Sequence, residues 1–175
     1  MSSFAVRPAT VADAEACRQI YRPYVEETAL TFETELPTLD DFTARIATAI
    51  NTHAWLVLER EGDIVGYASS RPFDARAAYR WSCETGLYLA AGSHGNGGGR
   101  LLYEALLDAV AARGYRVAIG RIVDPNPASV RLHERLGFTT VGTLRSIGWK
   151  LNAWHDVILM QKYLSTPASP PAPLR

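Results

Sequence analysis

The chain has 175 residues, and its 18 Lys and Arg are balanced by 18 Asp and Glu. No overall field therefore draws it to nucleic acid or to an acidic membrane, and any anion it binds must be recruited locally. A hydrophobic content of 47% and a charged content of 21% are those of an ordinary water-soluble domain, and no apolar run approaches membrane-spanning length.

Residues 4–8 read as a short strand. Thr10 and Asp13 form a Thr-x-x-Asp start signal, and Ala14, Cys17, Ile20, Tyr21 and Tyr24 follow at helical spacing. Pro23 predicts a break there, so two helical pieces are expected. The start signal recurs at Thr38-Leu39-Asp40-Asp41, ahead of Phe42, Ile46, Ala49 and Ile50. Runs 55–60 and 64–70 are β-rich and flank Glu61-Gly62-Asp63, which predicts a hairpin. A polar loop, 71–80, leads into strand 81–89. Trp81, Cys83, Thr85, Leu87 and Leu89 share one face of that strand; Ser82, Glu84, Gly86 and Tyr88 share the other.

Five of the 13 glycines then fall within Gly92-Ser93-His94-Gly95-Asn96-Gly97-Gly98-Gly99. The following helix carries Leu101, Leu102, Ala105, Leu106, Ala109 and Val110 on one stripe and stops at Gly114. Run 117–123 is another strand. Asn126 as N-cap and Pro127 behind it open a helix that Gly137 ends. Runs 138–144 and 154–162 close the chain as strands. One domain is expected over residues 1–164, large enough to bury roughly two thirds of its unfolded surface. Pro167, Pro170, Pro171 and Pro173 make 165–175 a tail expected to be disordered. The start, Met-Ser-Ser-Phe-Ala-Val-Arg-Pro, lacks the apolar stretch of a secretory leader. Cys17 and Cys83 have no paired spacing and read as free thiols of a reducing compartment, the cytoplasm.

A side-chain-poor turn that opens a helix aims several backbone N–H groups at one spot, where the helix dipole is positive. This makes an anion cradle. A Walker A loop is excluded because Gly98 stands where Lys is required after Gly92 and Gly97. The dinucleotide fingerprint fails because Arg100 holds the place of its third glycine. A turn serving geometry alone remains the other reading. What is left, His94-Gly95-Asn96-Gly97-Gly98-Gly99, resembles the pyrophosphate loop of the GCN5-related N-acetyltransferases (GNAT), which hold acetyl-coenzyme A on backbone amides. His94 departs from their usual Gln or Arg, so its contact with the cofactor is left open.

The order β-α-α-β-β-β-α-β-α-β-β resembles the same α/β fold, a mostly antiparallel twisted sheet of about seven strands flanked by about four helices. Arg76-Ala77-Ala78-Tyr79-Arg80-Trp81, Glu84, Ser129-Val130-Arg131-Leu132-His133-Glu134, Gly148-Trp149-Lys150 and Trp154-His155-Asp156 look like the phosphinothricin and methionine sulfoximine acetyltransferase branch. The resemblance implies that pantetheine lies along Leu87, Tyr88 and Leu89, and that Gly95, Asn96, Gly97, Gly98, Gly99 and Arg100 grip the pyrophosphate. It implies that Asn126 meets the cofactor near its thioester end, although Asn126 equally caps its own helix. A homodimer is implied too.

Acetyl transfer to an amine needs an uncharged nitrogen, a polarised thioester and a proton for the leaving thiolate. Glu84, a lone acid in an otherwise uncharged strand, is the candidate base; the rival reading is a structural ion pair. His133 is the candidate acid. Imidazole titrates near pH ~6.5, so a cationic His133 could protonate a thiolate whose thiol titrates near about 8.5. Its rival reading is a satisfied core or surface histidine. His53, His94, His133 and His155 lack paired ligand spacing, so no metal is expected. On the acceptor side the branch places Arg76 as a bidentate anchor, with Tyr79 and Phe32 lining the pocket; solvent exposure of Arg76 and core packing of Phe32 are the alternatives. The expected activity is direct acetyl transfer from acetyl-coenzyme A to the amino group of a phosphinothricin- or methionine sulfoximine-like acceptor. Another small amine, a polyamine, a protein N-terminus or a non-catalytic sensor remain the alternatives.

Overall fold

The elements follow in the expected order in the computed structural model, which describes residues 4–166 and 171–175. The strands are β1 (Phe4–Pro8), β2 (Trp55–Arg60), β3 (Asp63–Pro72), β4 (Ser82–Leu89), β5 (Val117–Asp124), β6 (Thr139–Lys150) and β7 (Ala153–Tyr163). The helices are α1 (Ala14–Glu27), α2 (Leu39–Thr52), α3 (Gly98–Ala112) and α4 (Pro127–Arg135). One sheet runs β1-β2-β3-β4-β5-β7-β6. β4 and β5 pair in parallel and every other neighbour antiparallel, so the chain needs a crossover between those two, and α3 supplies it.

Both faces of the sheet are covered, which is why Trp55, Leu56, Val57 and Leu58 of β2 are all buried. Leu56, Leu58, Cys83 and Leu89 pack with Leu102, Tyr103, Leu106 and Val110 of α3. Trp55, Val57 and Tyr67 pack on the opposite face with Cys17, Ile20 and Tyr21 of α1 and Phe42 and Ile46 of α2. The expected alternation in β4 holds, with Cys83 and Leu89 on the α3 side and Tyr88 on the α1 side. Burial pushes the Cys17 and Cys83 thiols up to about 12, which makes both inert.

The start signals are real caps. Thr38 Oγ1 accepts from Asp41 N at 3.1 Å, and Asp41 Oδ2 accepts from Thr38 N at 3.2 Å. Asp13 also accepts both ends of the Arg7 fork at 2.8 and 2.9 Å, which holds its carboxyl down at about 2.

Three expectations change. α1 runs through Pro23 as one helix, because Cys17, Ile20 and Tyr21 before it and Val25 after it are all buried on the same side. That anchorage outweighs the one hydrogen bond proline cannot make. The last two strands are longer than 138–144 and 154–162. After a register shift between Leu144 and Gly148 the ladder resumes, pairing Trp149 with Trp154. Ser146, at φ 46°, donates its N–H to Asp156 Oδ1 at 2.7 Å and so closes the bulge. The hairpin turns on Leu151 and Asn152, both left-handed. Finally, part of the tail is seated. Trp81 Nε1 donates to Ala172 O at 2.9 Å, Arg175 N donates to Arg113 O at 2.9 Å, and Leu174 packs on the α3 core. These contacts fall within the stretch 165–175 expected to be disordered; residues 167–170 lie outside the described residues. No helix among the described residues is long and apolar enough to cross a membrane.

Candidate active site

β4 and β5 are hydrogen-bonded only from Ser82 to Thr85 against Val117 to Gly120. Beyond that point β4 stays with β3 and β5 stays with β7, so a cleft opens between their facing edges. Ala90 N donates to Val65 O at 2.9 Å, which by alternation turns the backbone groups of Leu87 and Leu89 into the cleft. Tyr24 occupies part of that edge: its hydroxyl donates to Leu89 O at 2.7 Å and accepts from Leu89 N at 3.3 Å.

A cavity of about 600 Å³ fills the cleft, walled by Leu87, Tyr88, Leu89, His94, Asn126 and His133 among others. At its end lies the glycine turn. Gly92, Gly95 and Gly97 have φ of 77°, 79° and 83°, left-handed values that a side chain rarely tolerates. Gly98 is needed for close packing, since a Cβ there would stand 2.8 Å from Leu58 Cδ2. Gly97 is the N-cap of α3 and gives no side-chain cap, so the first amides of the helix keep their hydrogen-bonding capacity. Of the expected cofactor residues, Leu87, Tyr88, Leu89, Gly95, Gly97, Gly99, Arg100 and Asn126 border this cavity, whereas Asn96 and Gly98 do not. Asn126 Oδ1 accepts from Ser129 N at 3.1 Å, so the helix cap uses the oxygen and leaves the amide nitrogen.

A second cavity, of about 790 Å³, lies on the α1–α2 side and meets the first at Thr85, Gly86, Tyr88 and Arg121. Glu84 and Phe32 are in its wall. The branch motif at 148–150 turns out to shape this wall from a distance. A Cβ on Gly148 would stand 2.2 Å from Phe32, and Lys150 Nζ donates to Thr31 O at 2.9 Å. Burial lowers the pKa of the Lys150 amine, and His155 Nε2 donates to Lys150 O at 2.9 Å. Arg76 and Tyr79 stand elsewhere. The Arg76 guanidinium is spent on Asp74, with Nε and Nη2 at 3.0 and 2.9 Å, and lies over the Tyr79 ring at 5.2 Å. Neither residue borders either cavity, so the expected anchor is displaced by its own neighbour.

Two residues that sequence reasoning missed, Arg71 and Arg121, flank Glu84. Arg71 Nη2 donates to Glu84 Oε1 at 2.5 Å, and Arg121 Nε pairs with Oε2 at 3.1 Å. Glu84 itself is 8% exposed. Glu84 is therefore held in an ion pair, as its rival reading has it, in the wall of the second cavity. Register places Arg71 opposite Glu84, and only the strand pairing reveals it.

His133 is also buried. Its Nδ1 faces Ser129 O at 2.8 Å, and a carbonyl only accepts, so Nδ1 carries the hydrogen. Nε2 then accepts from Tyr103 Oη at 2.9 Å, and Tyr103 in turn accepts from Thr85 Oγ1 at 2.7 Å. Burial lowers the imidazole pKa, with the Ser129 carbonyl partly opposing, which favours the neutral form of His133 near pH 7 over the cation that the acid role would need. His53 is lowered by burial as well. An imidazole depressed in the folded state contributes stability that is complete above its unfolded pKa and declines as pH falls through the folded value. Urea midpoints should therefore be flat from pH 8 to 7 and drop below about 6.5. His133→Gln should make that drop shallower by at most about 1.4 kcal/mol per pH unit.

Comparison with known proteins agrees with this geometry. The family described as Acetyltransferase (GNAT) domain matches residues 6–159. A phosphinothricin N-acetyltransferase of Streptomyces viridochromogenes is 39% identical over 170 residues, covering 97% of this chain and 92% of the relative. An L-methionine sulfoximine/L-methionine sulfone acetyltransferase of Salmonella typhimurium is 32% identical, covering 95% of this chain and 98% of its own length. The structure of a Salmonella typhimurium acetyltransferase with its cofactor acetyl-CoA superposes with a TM-score of 0.92 at 31% identity, covering 95% of this chain and 97% of the other. A split parallel strand pair, an uncapped glycine turn at the head of a helix and a match over nearly the whole chain lead to one conclusion: the protein belongs to the GNAT family and is an acetyl-CoA-dependent N-acetyltransferase.

Proposed function

We propose that the acceptor is a small amino acid analogue, with phosphinothricin and methionine sulfoximine or sulfone as the first compounds to assay, and that acetylation makes a toxic analogue harmless. The observation that carries this reading is the junction of two cavities at Thr85, Gly86, Tyr88 and Arg121, with Glu84 beside it. One chamber suits a long phosphorylated cosubstrate and the other a compact amine. The names of the two curated relatives supply the acceptor class. A polyamine fits less well, because two guanidiniums stand beside Glu84.

The residues divide the work as follows. The N–H groups at Gly95, Gly97 and Gly99 and the start of α3 hold the pyrophosphate, and the open edge at Leu87 and Leu89 pairs with the pantetheine amides. The left-handed glycines and the uncapped helix start are the features that fit that group. Glu84 accepts one proton from the acceptor ammonium, directly or through a water. The freed nitrogen attacks the thioester carbonyl; as the carbon–sulfur bond breaks, the second nitrogen proton passes to the departing sulfur. His133 acts as a positioning residue, orienting the Thr85 hydroxyl at the junction through Tyr103.

Glu84→Gln should lower kcat by roughly 10²–10⁴ while acetyl-CoA affinity holds, and an unchanged rate removes Glu84 as the base. Gly97→Asp should abolish calorimetric acetyl-CoA binding, because it adds a side chain at φ 83° and a negative charge to the cradle. Normal affinity would refute the loop assignment.

We place the enzyme in the cytoplasm, on its two free buried cysteines. We also assign it a homodimer through the outer strands. Ile147, Trp149 and Trp154 are each more than half exposed there, and the two tryptophans meet across the ladder at 5.4 Å. Such an apolar surface is unusual on a monomer. Trp149→Glu with Trp154→Glu should convert a sedimenting dimer to a monomer; a wild-type monomer would overturn the assignment.

A further inference from the structure

The acceptor cavity is lined by one balanced ion pair, one capping carboxylate and one cluster of unequal charge. Arg45 and Glu33 neutralise one another, with contacts at 2.7 and 3.2 Å, and Asp41 is committed to the cap of α2. Around Glu84, two guanidiniums face one carboxylate. The three arginines and three carboxylates of the cavity balance overall, and the local excess of positive charge sits beside the residue read as the base. Both oxygens of Glu84 are already engaged, and a carboxylate paired with two guanidiniums is a weaker base than one released from either of them.

Exposure shows which partner can leave. The Arg71 side chain is 69% exposed and that of Glu84 only 11%. Arg71 reaches in from the end of β3 and spends a single nitrogen, Nη2, on the pair. Its remaining donors make no hydrogen bond to described residues, and so its planar fork is left without a bidentate partner. Arg121 is less exposed, packs near the Phe73 ring at 5.9 Å and borders both cavities. It is the fixed member. Arg76, the anchor expected from sequence, is held by Asp74 and lies outside the cavity walls.

We propose that Arg71 and Arg121 form the acid clamp for the acceptor's α-carboxylate, and that Arg71 masks Glu84 until that carboxylate draws its guanidinium away. The proposal rests on the acceptor reading above. In an α-amino acid the carboxylate is attached to the same carbon that bears the amine. An amine beside Glu84 therefore sets its carboxylate within reach of two guanidiniums that already touch that residue. A carboxylate accepts two parallel N–H bonds from an arginine fork, whereas Glu84 now receives one from Arg71. Binding the right acceptor would thus exchange a poorer pairing for a better one and uncover the base in the same movement.

The test compares Arg71→Ala and Arg71→Lys with the wild type on three acceptors: methionine sulfone, its carboxamide and phosphinothricin. Arg71→Ala should raise KM for methionine sulfone by about 10- to 100-fold. The same change should leave the carboxamide rate unchanged or higher, because Glu84 is no longer masked. Arg71→Lys should recover part of the loss for the acid. Unchanged calorimetric affinity for acetyl-CoA would show that the variants are folded. Equal loss for acid and amide, or no loss for either, would overturn the clamp while leaving the enzyme reading intact. A loss confined to phosphinothricin would also overturn it, since the partner would then be a side-chain acid. Failure of the wild type to acetylate any of the three would remove the acceptor reading and the clamp together.

Discussion

The parting of β4 from β5 after Thr85 and Gly120 is the constraint on which the rest depends. A buried strand normally satisfies its backbone on both sides, and an edge left open inside a domain is costly unless something occupies it. Here the open edge lines a cavity of about 600 Å³ and is partly occupied by the Tyr24 hydroxyl. The cleft can exist because other elements hold its rim apart: α3 starts at one end of it, and α4 sets His133 against Gly120, where a Cβ would come within 2.6 Å of Nε2. Gly120 thus belongs to the architecture of the site although it carries no chemistry.

The charges follow the same logic of local balance within a chain of zero net charge. The cradle needs no cationic side chain, and Arg100 instead pairs with Glu104 at 2.8 Å along its own helix. Positive charge is concentrated where the two chambers meet, and there two guanidiniums are held by one carboxylate. A buried polar chain of Thr85, Tyr103 and His133 backs that junction, and burial lowers the pKa of its imidazole.

Much of this could be read from residue order. Periodicity and caps located the elements, and the glycine run between a strand and a helix marked the left-handed turn at the head of α3. What escaped notice has physical reasons. Pro23 marks a local weakness, but the burial of Tyr21 and Val25 that overrides it is a tertiary effect. The turn at Leu151 and Asn152 lacks the glycine that usually advertises left-handed backbone. Arg76 looked like an anchor because its captor, Asp74, lies two residues away and only geometry shows the fork closed. Arg71 and Arg121 come from different strands, 50 positions apart, and meet at Glu84 only through the register of the sheet. Gly148 and Lys150 act on Phe32 and Thr31 across more than a hundred residues, a distance no local pattern spans.

The Tyr24 phenol has a consequence for the order of events. It holds both backbone groups of Leu89, so any strand-like guest pairing there must evict it. Its ring rests edge-on against Tyr88 at 5.0 Å, and Tyr88 touches Tyr21 at 4.8 Å in the wall of the neighbouring chamber. Tyr24, Tyr88 and Tyr21 thus form a row of edge-on rings that joins the open strand edge to the wall of the neighbouring chamber.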